Sequence, residues 1–296
     1  MQKKALCQKI PMKTEQISGY LLLNKPSGIT SNDALKIIKK KCGIKKMGHG
    51  GTLDPFATGL LFVVIGESTK FLPYIQIEPK GYTAILKLGI ETDTLDSDGL
   101  VISQAPLVSF DDKKLNDICQ GLLGKRSQLA PVYSAKKIDG ERSYDLARRG
   151  LDVVRKNCQI EVYELRAEKI DDSTISFKTL CSSGTYVRVL GEEIAKELGC
   201  VGHLTSLDRY RLGDFHSQQS IDVDDIQTKA ITPIQEAIAG SRIDLDDTQF
   251  KFINVGRPIK IINQNPGRYL VFYKNNFLGL CVLDGDLLKP ERLNVL

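Results

Sequence analysis

The segment KKMGHGGTLDPFATGLL, residues 45–61, holds the densest set of groups that could do chemistry. Gly48, Gly50 and Gly51 let the backbone approach a ligand closely or adopt positive φ. Asp54 precedes Pro55, which restricts it to extended backbone and so gives its carboxylate a fixed pose. The loop then runs into the apolar string LLFVVIG, which anchors it in the core. A carboxylate on a rigid loop beside an open backbone path can serve as a nucleophile or a base. Spacing argues against two common uses of a glycine-rich loop. A Walker phosphate loop needs GxxxxGK[ST], and neither Gly48 nor Gly51 leads to one. A dinucleotide fingerprint needs GxGxxG, but Gly48-x-Gly50 is followed by Leu53. An isolated Asp-Pro is most often a turn cap, so the rest of the chain has to decide for or against chemistry.

The chain that must position this loop has 296 residues, 42% hydrophobic and 26% charged. That is enough apolar material for a real core, and the length suits one large domain plus a small one. No apolar run approaches the roughly 20 residues that span a bilayer, so no membrane partner is expected. The start, MQKKALCQKIPMKTEQ, lacks the apolar stretch of a secretory signal, and a cytoplasmic address is expected. Seven cysteines without a CxxC pair, and three histidines without ligand spacing, predict neither disulfides nor a metal site. The net charge is +5, but residues 1–50 carry eleven lysines against Glu15 and Asp33. Such a cationic stretch would attract a polyanion, most commonly a phosphate backbone; a solvated helix face is the plainer explanation.

Residues 1–18 read as a polar tail. A strand is predicted at Tyr20–Leu23, then a helix capped at Ser31, Asn32 or Asp33, carrying Leu35, Ile38 and Cys42 on one face and ending at Gly43. Glu67–Ile77 reads as helical, Tyr82–Leu88 as a strand, and TDTLDSDG (residues 92–99) as a polar connector. Helices are predicted at Leu115–Leu123, Tyr144–Arg149 and Val187–Leu198, and strands at Gln159–Ala167 and Thr174–Cys181. Without regular βαβ alternation, this is an α+β body with a mostly antiparallel sheet, over residues 19–240. Thr232–Ala239 reads as a short helix. After it only strand-like pieces are predicted, separated by turns at Asn275–Asn276 and Asp284–Gly285. Residues 245–296 therefore suggest a small β-barrel or sandwich used for binding.

KMGHGGTLDPFATGLL closely resembles the GHxGTLDPxATGxL motif of the TruB family, tRNA pseudouridine synthases that act on uridine 55 of the T-loop. LLLNKPSGITS, GYTAILKLGIETDTLDSDG, APVYSAKKIDGERSYDLARRG, SSGTYVRVLGEEIAKELG and GHLTSLDRYRLGDF resemble further blocks of that family, in its order, from Gly19 to Phe215. The C-terminal piece resembles the PUA-type RNA-binding domain of bacterial members. The resemblance implies a pseudouridine-synthase fold with a mixed sheet, flanking helices and a PUA-like β-barrel. Its activity would be an isomerisation that breaks an N-glycosidic bond and remakes it at carbon, so no cofactor is implied.

By the same resemblance Asp54 is the nucleophile, Tyr82 the aromatic that stacks on a flipped base, and Arg188 the guanidinium that keeps Asp54 ionised and oriented. His49 would hold the extruded conformation of the T-loop, and Tyr186 and Leu207 would wall the base pocket. Lys25, Lys70 and Lys136 match basic positions and would contact RNA or support the pocket. Asp208 stands where arginine is frequent in the family. The implied partner is the T-stem-loop of tRNA, read mainly by shape, with no DNA and with the protein acting as a monomer. The rival reading is a tRNA-binding or tRNA-folding protein whose catalysis is secondary or lost. A related one is a synthase for ribosomal or guide-directed RNA.

Overall fold

The string TGLLFVVI forms a strand that buries both faces, and the fold is arranged around it. The computed structural model describes residues 17–131 and 157–294, together with the backbone of two short strands, Lys137–Ile138 and Glu141–Arg142. Lys136 and the predicted helix Tyr144–Arg149 lie outside the described residues.

In chain order the body contains β1 (Gly19–Lys25), α1 (Ser31–Cys42), β2 (Met47–Gly50), β3 (Thr58–Ile65), a 3-10 helix (Gly66–Tyr74) and β4 (Lys80–Leu88). There follow α2 (Asp112–Gly121), β5 (Gly124–Leu129), β6 (Asn157–Asp171), β7 (Thr174–Cys181), α3 (Val187–Leu198) and β8 (Gly202–Leu212). The main sheet runs β1-β3-β8-β4-β7-β6-β5. Every neighbouring pair along it is antiparallel except β3 with β8, which are parallel. The α+β body with a mostly antiparallel sheet is thus what the chain forms.

Period-two alternation divides β3 between two cores. Leu61, Val63 and Ile65 pack with Leu21 and Leu23 of β1 beneath Ala34, Leu35 and Ile38 of α1. Helix α1 is capped one residue earlier than expected: Thr30, not Ser31, Asn32 or Asp33, is its N-cap and accepts from the Asp33 amide, while Gly43 closes it as expected. Leu60, Phe62 and Val64 face the other way, onto Phe71 of the 3-10 helix and onto residues far along the chain. Where β3 passes β8, a side chain at Gly59 would put its first carbon 2.5 Å from the Arg209 carbonyl oxygen. Only glycine allows that approach, and φ there is +98°.

The C-terminal part, expected from 245, has its first strand at Ser241. It comprises β9 (Ser241–Asp244), α4 (Asp247–Asn254), β10 (Gly267–Tyr273), β11 (Asn276–Asp284) and β12 (Leu287–Leu293), in the sheet β9-β10-β11-β12 plus Ile259–Lys260. The β10–β11 hairpin turns at Lys274–Asn275, both at positive φ. Two expectations need correction. The predicted helix Thr232–Ala239 is one 3-10 turn, Ile234–Ala237, because Thr232 is drawn into a backbone pairing with Tyr20. Helix α4 lies where only strands were expected. Its signature was present in Asp246-x-x-Gln249, a capping box in which the Asp246 carboxylate accepts from the Thr248 and Gln249 amides.

Leu270, Phe272, Phe277 and Leu280 of this second sheet complete the cluster around Leu22, Leu60, Phe62 and Val64. Burying one such side chain is worth about 1.5–3 kcal/mol, so the module is part of the body's stability. Truncation at Gly240 is expected to lower the midpoint of thermal unfolding by at least about 10 °C or to cause aggregation. A truncated chain that melts cooperatively at the full-length temperature in a calorimeter would contradict this.

Candidate active site

Asp54 sits on a loop whose peptide groups are tied from several sides. The Ser31 hydroxyl accepts from the Leu53 amide at 2.9 Å and donates to the Leu53 carbonyl at 3.2 Å. The Ser27 hydroxyl donates to the Phe56 carbonyl, and the Gly28 amide to that of Pro55. Lys25, fully buried, donates to the carbonyls of Pro26, Ile29 and Pro55. Arg209, also fully buried, donates to the carbonyls of Leu60, Gly51 and Thr52. None of these bonds uses the Asp54 carboxylate, whose side chain is 36% exposed.

Lys25 therefore supports the loop, and a buried ammonium with three carbonyl partners is not placed to contact RNA. Burial pulls it down to about 8 from an ordinary 10.5, opposed by the Asp54 carboxylate. Between those two values the unfolded chain still holds a proton that the folded chain has released. Lys25's contribution to stability therefore rises with pH across that window, by on the order of 1 kcal/mol. In urea unfolding at pH 7.5 and 9.5, the wild-type advantage over Lys25→Met is expected to widen at the higher pH. A constant or shrinking difference would contradict it.

Arg188 lies in the first turn of α3, which carries no acidic residue there, and it is 4% exposed. A buried cation at a helix N-terminus opposes the helix dipole and needs anions close by. It has two. Its Nε is 2.9 Å from Asp54 Oδ2, and its Nη1 is 3.1 Å from Asp96 Oδ2. Nη1 also donates to the Thr94 carbonyl at 2.6 Å. Asp96 is itself buried, and its carboxylate accepts from the Thr94 hydroxyl and the Asp98 amide. Burial pushes the Asp96 carboxyl above its ordinary range, and the Arg188 cation acts against that. The segment expected to be a polar connector thus supplies the second anion of an Asp54–Arg188–Asp96 row.

Beside this row is a cavity of about 280 Å³, lined by Thr52, Leu53, Asp54, Lys80, Tyr82, Gly184, Thr185, Tyr186, Val187, Arg188 and Leu207. Its size suits one small planar group better than an extended ligand. Tyr82 is buried in the core beside Leu53, Phe56 and Leu207, and burial pushes its hydroxyl above the ordinary range. Gln128, fully buried, fixes the entry to α3 by accepting from the Tyr186 amide and donating to its carbonyl.

Of the residues singled out in the sequence, Asp54, Tyr82, Arg188, Tyr186 and Leu207 come together at this cavity. His49 is half-buried on β2 opposite Val63 and does not line it. Lys70 is on the 3-10 helix, 3.6 Å from Glu67 and 5.6 Å from the Phe71 ring centre, also outside the lining. Three further residues belong to the site: Lys80, Asp96 and Arg209. Arg209 adjoins Asp208, which pairs with the Thr58 hydroxyl at 2.8 Å. A signal for Asp96 and Arg209 existed only in their lying inside motif blocks. Among the described residues no cluster of His, Cys, Asp and Glu could hold a metal ion. No helix there is long and apolar enough to cross a membrane.

Residues 39–187 match the family described as TruB family pseudouridylate synthase, N-terminal domain. The tRNA pseudouridine synthase B of Caldanaerobacter subterraneus subsp. tengcongensis is 36% identical over 282 residues, covering 94% of this chain and 99% of that protein. That of Psychrobacter cryohalolentis is 38% identical over 262 residues, covering 84% and 73%. That of Azoarcus sp. strain BH72 is 34% identical over 294 residues, covering 97% of each. Among solved structures, a Cbf5-Nop10-Gar1 complex matches at a TM-score of 0.66 and 21% identity, covering 94% of this chain and 85% of the matched one. An H/ACA RNP bound to a substrate RNA containing 2′-deoxyuridine matches at 0.64 and 20% identity, covering 93% and 84%. At such identities these structures speak for the fold, including the PUA-like C-terminal sheet.

Proposed function

This chain belongs to the TruB family of pseudouridylate synthases, and from that premise we propose that it isomerises uridine 55 in the T-loop of tRNA to pseudouridine. The observation that carries the reading is a carboxylate, Asp54, at the edge of a one-base cavity, oriented by a buried guanidinium that is held in turn by Asp96.

The reaction moves the C1′ bond of uracil from N1 to C5. The proton on C5 leaves, N1 gains one, and nothing is oxidised or hydrolysed. The base cannot turn over inside a stacked helix, so the nucleotide is extruded into the cavity. Tyr82 offers its ring to the extruded base; such stacking is worth about 1–3 kcal/mol, set against the cost of extrusion. Asp54 bonds to the nucleotide and keeps its parts together while the ring rotates. Tyr186 and Leu207 wall the pocket. Folded RNA presents splayed bases, 2′-hydroxyls and backbone, so the stem-loop is recognised by shape. Part of the N-terminal cationic stretch is available for this: Lys36 and Lys41 are paired with Asp33 and Asp224, while Lys40 and Lys45 are exposed. The PUA-like sheet adds RNA contacts. The protein works as a monomer in the cytoplasm, where its substrate is.

The test is incubation with an unmodified tRNA carrying tritium at uridine C5, followed by adduct formation and primer extension. One tritium released per tRNA, with a stop at position 55, is expected. Tight binding without release would favour the tRNA-binding or tRNA-folding reading.

A further inference from the structure

We propose that Lys80 is a further catalytic group of this site, its ammonium taking up the negative charge that develops on the uracil ring when Asp54 bonds to the nucleotide. The inference rests on the isomerase reading above.

Lys80 opens β4 two residues before Tyr82. Successive side chains of a strand alternate between faces, so Lys80 shares the face of Tyr82, Ala84, Leu86 and Leu88. Those four are buried in the core, and Lys80 itself lines the cavity. A lysine at a core-facing position needs a partner. Lys80 is half-buried, and the buried cations around this site have their partners: Lys25 three carbonyls, Arg209 three carbonyls, Arg188 two carboxylates. Among the described residues the Lys80 ammonium has no hydrogen bond and no ion pair.

Its neighbours make the lack sharper. A first side-chain carbon on Gly51 would come 3.4 Å from Lys80 Nζ and 3.2 Å from Arg209 Nη1, so two cations meet at this glycine. Three charged or titratable groups act on Lys80: Arg209 on β8, Glu78 ahead of β4, and Cys181 on β7. Arg209 repels it. The Glu78 carboxylate accepts from the Ser183 amide at 3.2 Å. Burial pushes the Cys181 thiol up to about 11, so at neutral pH it offers no anion. Burial, aided by Arg209, holds Lys80 below the usual lysine range. The protein thus keeps in the cavity that receives the base a cation that Arg209 opposes and that the Glu78 carboxylate acts on only at a distance, without a direct ion pair.

The chemistry supplies the missing anion on either route open to Asp54. If its oxygen bonds to C1′, the C1′–N1 electron pair departs onto the ring and is shared by N1 and the two carbonyl oxygens. If it bonds to C6, the C5–C6 π pair moves onto C5 and the O4 carbonyl. Both put one negative charge on the ring. On the first route the C5 electron pair then takes C1′ and displaces the Asp54 oxygen, which leaves as carboxylate. On the second the C1′–N1 bond breaks with its pair kept by N1, the C5 pair takes C1′, and loss of the C5 proton expels Asp54 from C6 as carboxylate. On either route the C5 proton is lost and N1 gains one. A preset cation beside the ring stabilises such a charge more than the neutral ground state, which raises kcat.

The test compares wild type with Lys80→Met and Lys80→Arg on tritiated tRNA under single-turnover conditions, with tRNA Kd measured in parallel. Lys80→Met is expected to slow isomerisation by about 10²–10³-fold, the loss typical of one oxyanion donor, with Kd changed less than about twofold. Lys80→Arg should restore part of the rate. It should also move to higher pH the alkaline fall in rate expected of wild type as Lys80 loses its proton. An unchanged rate in Lys80→Met overturns the proposal. So does a loss confined to Kd, which would assign the ammonium to a backbone phosphate. If Lys80→Met does not fold, an alkaline limb unmoved in Lys80→Arg overturns it. Wild type that releases no tritium would instead defeat the isomerase reading itself.

Discussion

Asp54→Asn is expected to bind unmodified tRNA with wild-type affinity and to isomerise none of it. The replacement keeps the size of the side chain and an oxygen that can accept from Arg188 Nε, 2.9 Å away in the wild type. The loop should stay in place, because Ser27, Gly28, Ser31, Lys25 and Arg209 hold it through peptide groups and not through the carboxylate. What is lost is an anionic oxygen able to bond to the nucleotide. Removing the nucleophile of a covalent mechanism costs several orders of magnitude, here at least about 10⁴-fold in single-turnover rate. Tritium release and filter binding measure the two quantities separately. Turnover within tenfold of wild type would remove Asp54 from this role.

Arg188→Met is expected to damage both stability and rate, for two separable reasons. Stability falls because Asp96 is left in the core without its cation; breaking a buried pair costs about 3–5 kcal/mol. Rate falls, by at least about 10³-fold, because Asp54 loses the group that orients it. A second change at Asp96 separates the two. In Arg188→Met/Asp96→Asn the orphaned charge is gone, so denaturant unfolding should show much of the stability restored while isomerisation stays lost. Recovery of activity in the double variant, or full stability in the single one, would contradict the Asp54–Arg188–Asp96 arrangement.

How much of this was legible beforehand differs by residue. Local rules served where neighbours in sequence are neighbours in space. The apolar positions of α1, its stop at Gly43 and the Asn275 turn all depend on a few consecutive residues. The same rules missed α4, although its capping box was written in Asp246 and Gln249. They also read Thr232–Ala239 as a helix when a distant strand, at Tyr20, claims the backbone of Thr232. Lys25 shows the limit most plainly. In sequence it is a lysine beside a proline, open to reading as an RNA contact or as support for the pocket; in the fold it is sealed beneath the Asp54 loop.

The amino-acid string by itself determined that Asp54 would sit stiffly on a glycine-rich loop feeding a core strand, and that Tyr82 and Arg188 lay in motif blocks that accompany such a loop. It determined the alternation that makes the sheet and the presence of a β-rich end. Only the tertiary structure decided that Asp96, Arg209 and Lys80 belong to the same place, from positions 42, 155 and 26 residues away from Asp54. The reason is physical. Helix caps, turns and strand alternation are settled by groups within a few residues of one another. A buried charge is tolerated only where the fold delivers its partner, and that partner can come from anywhere along the chain.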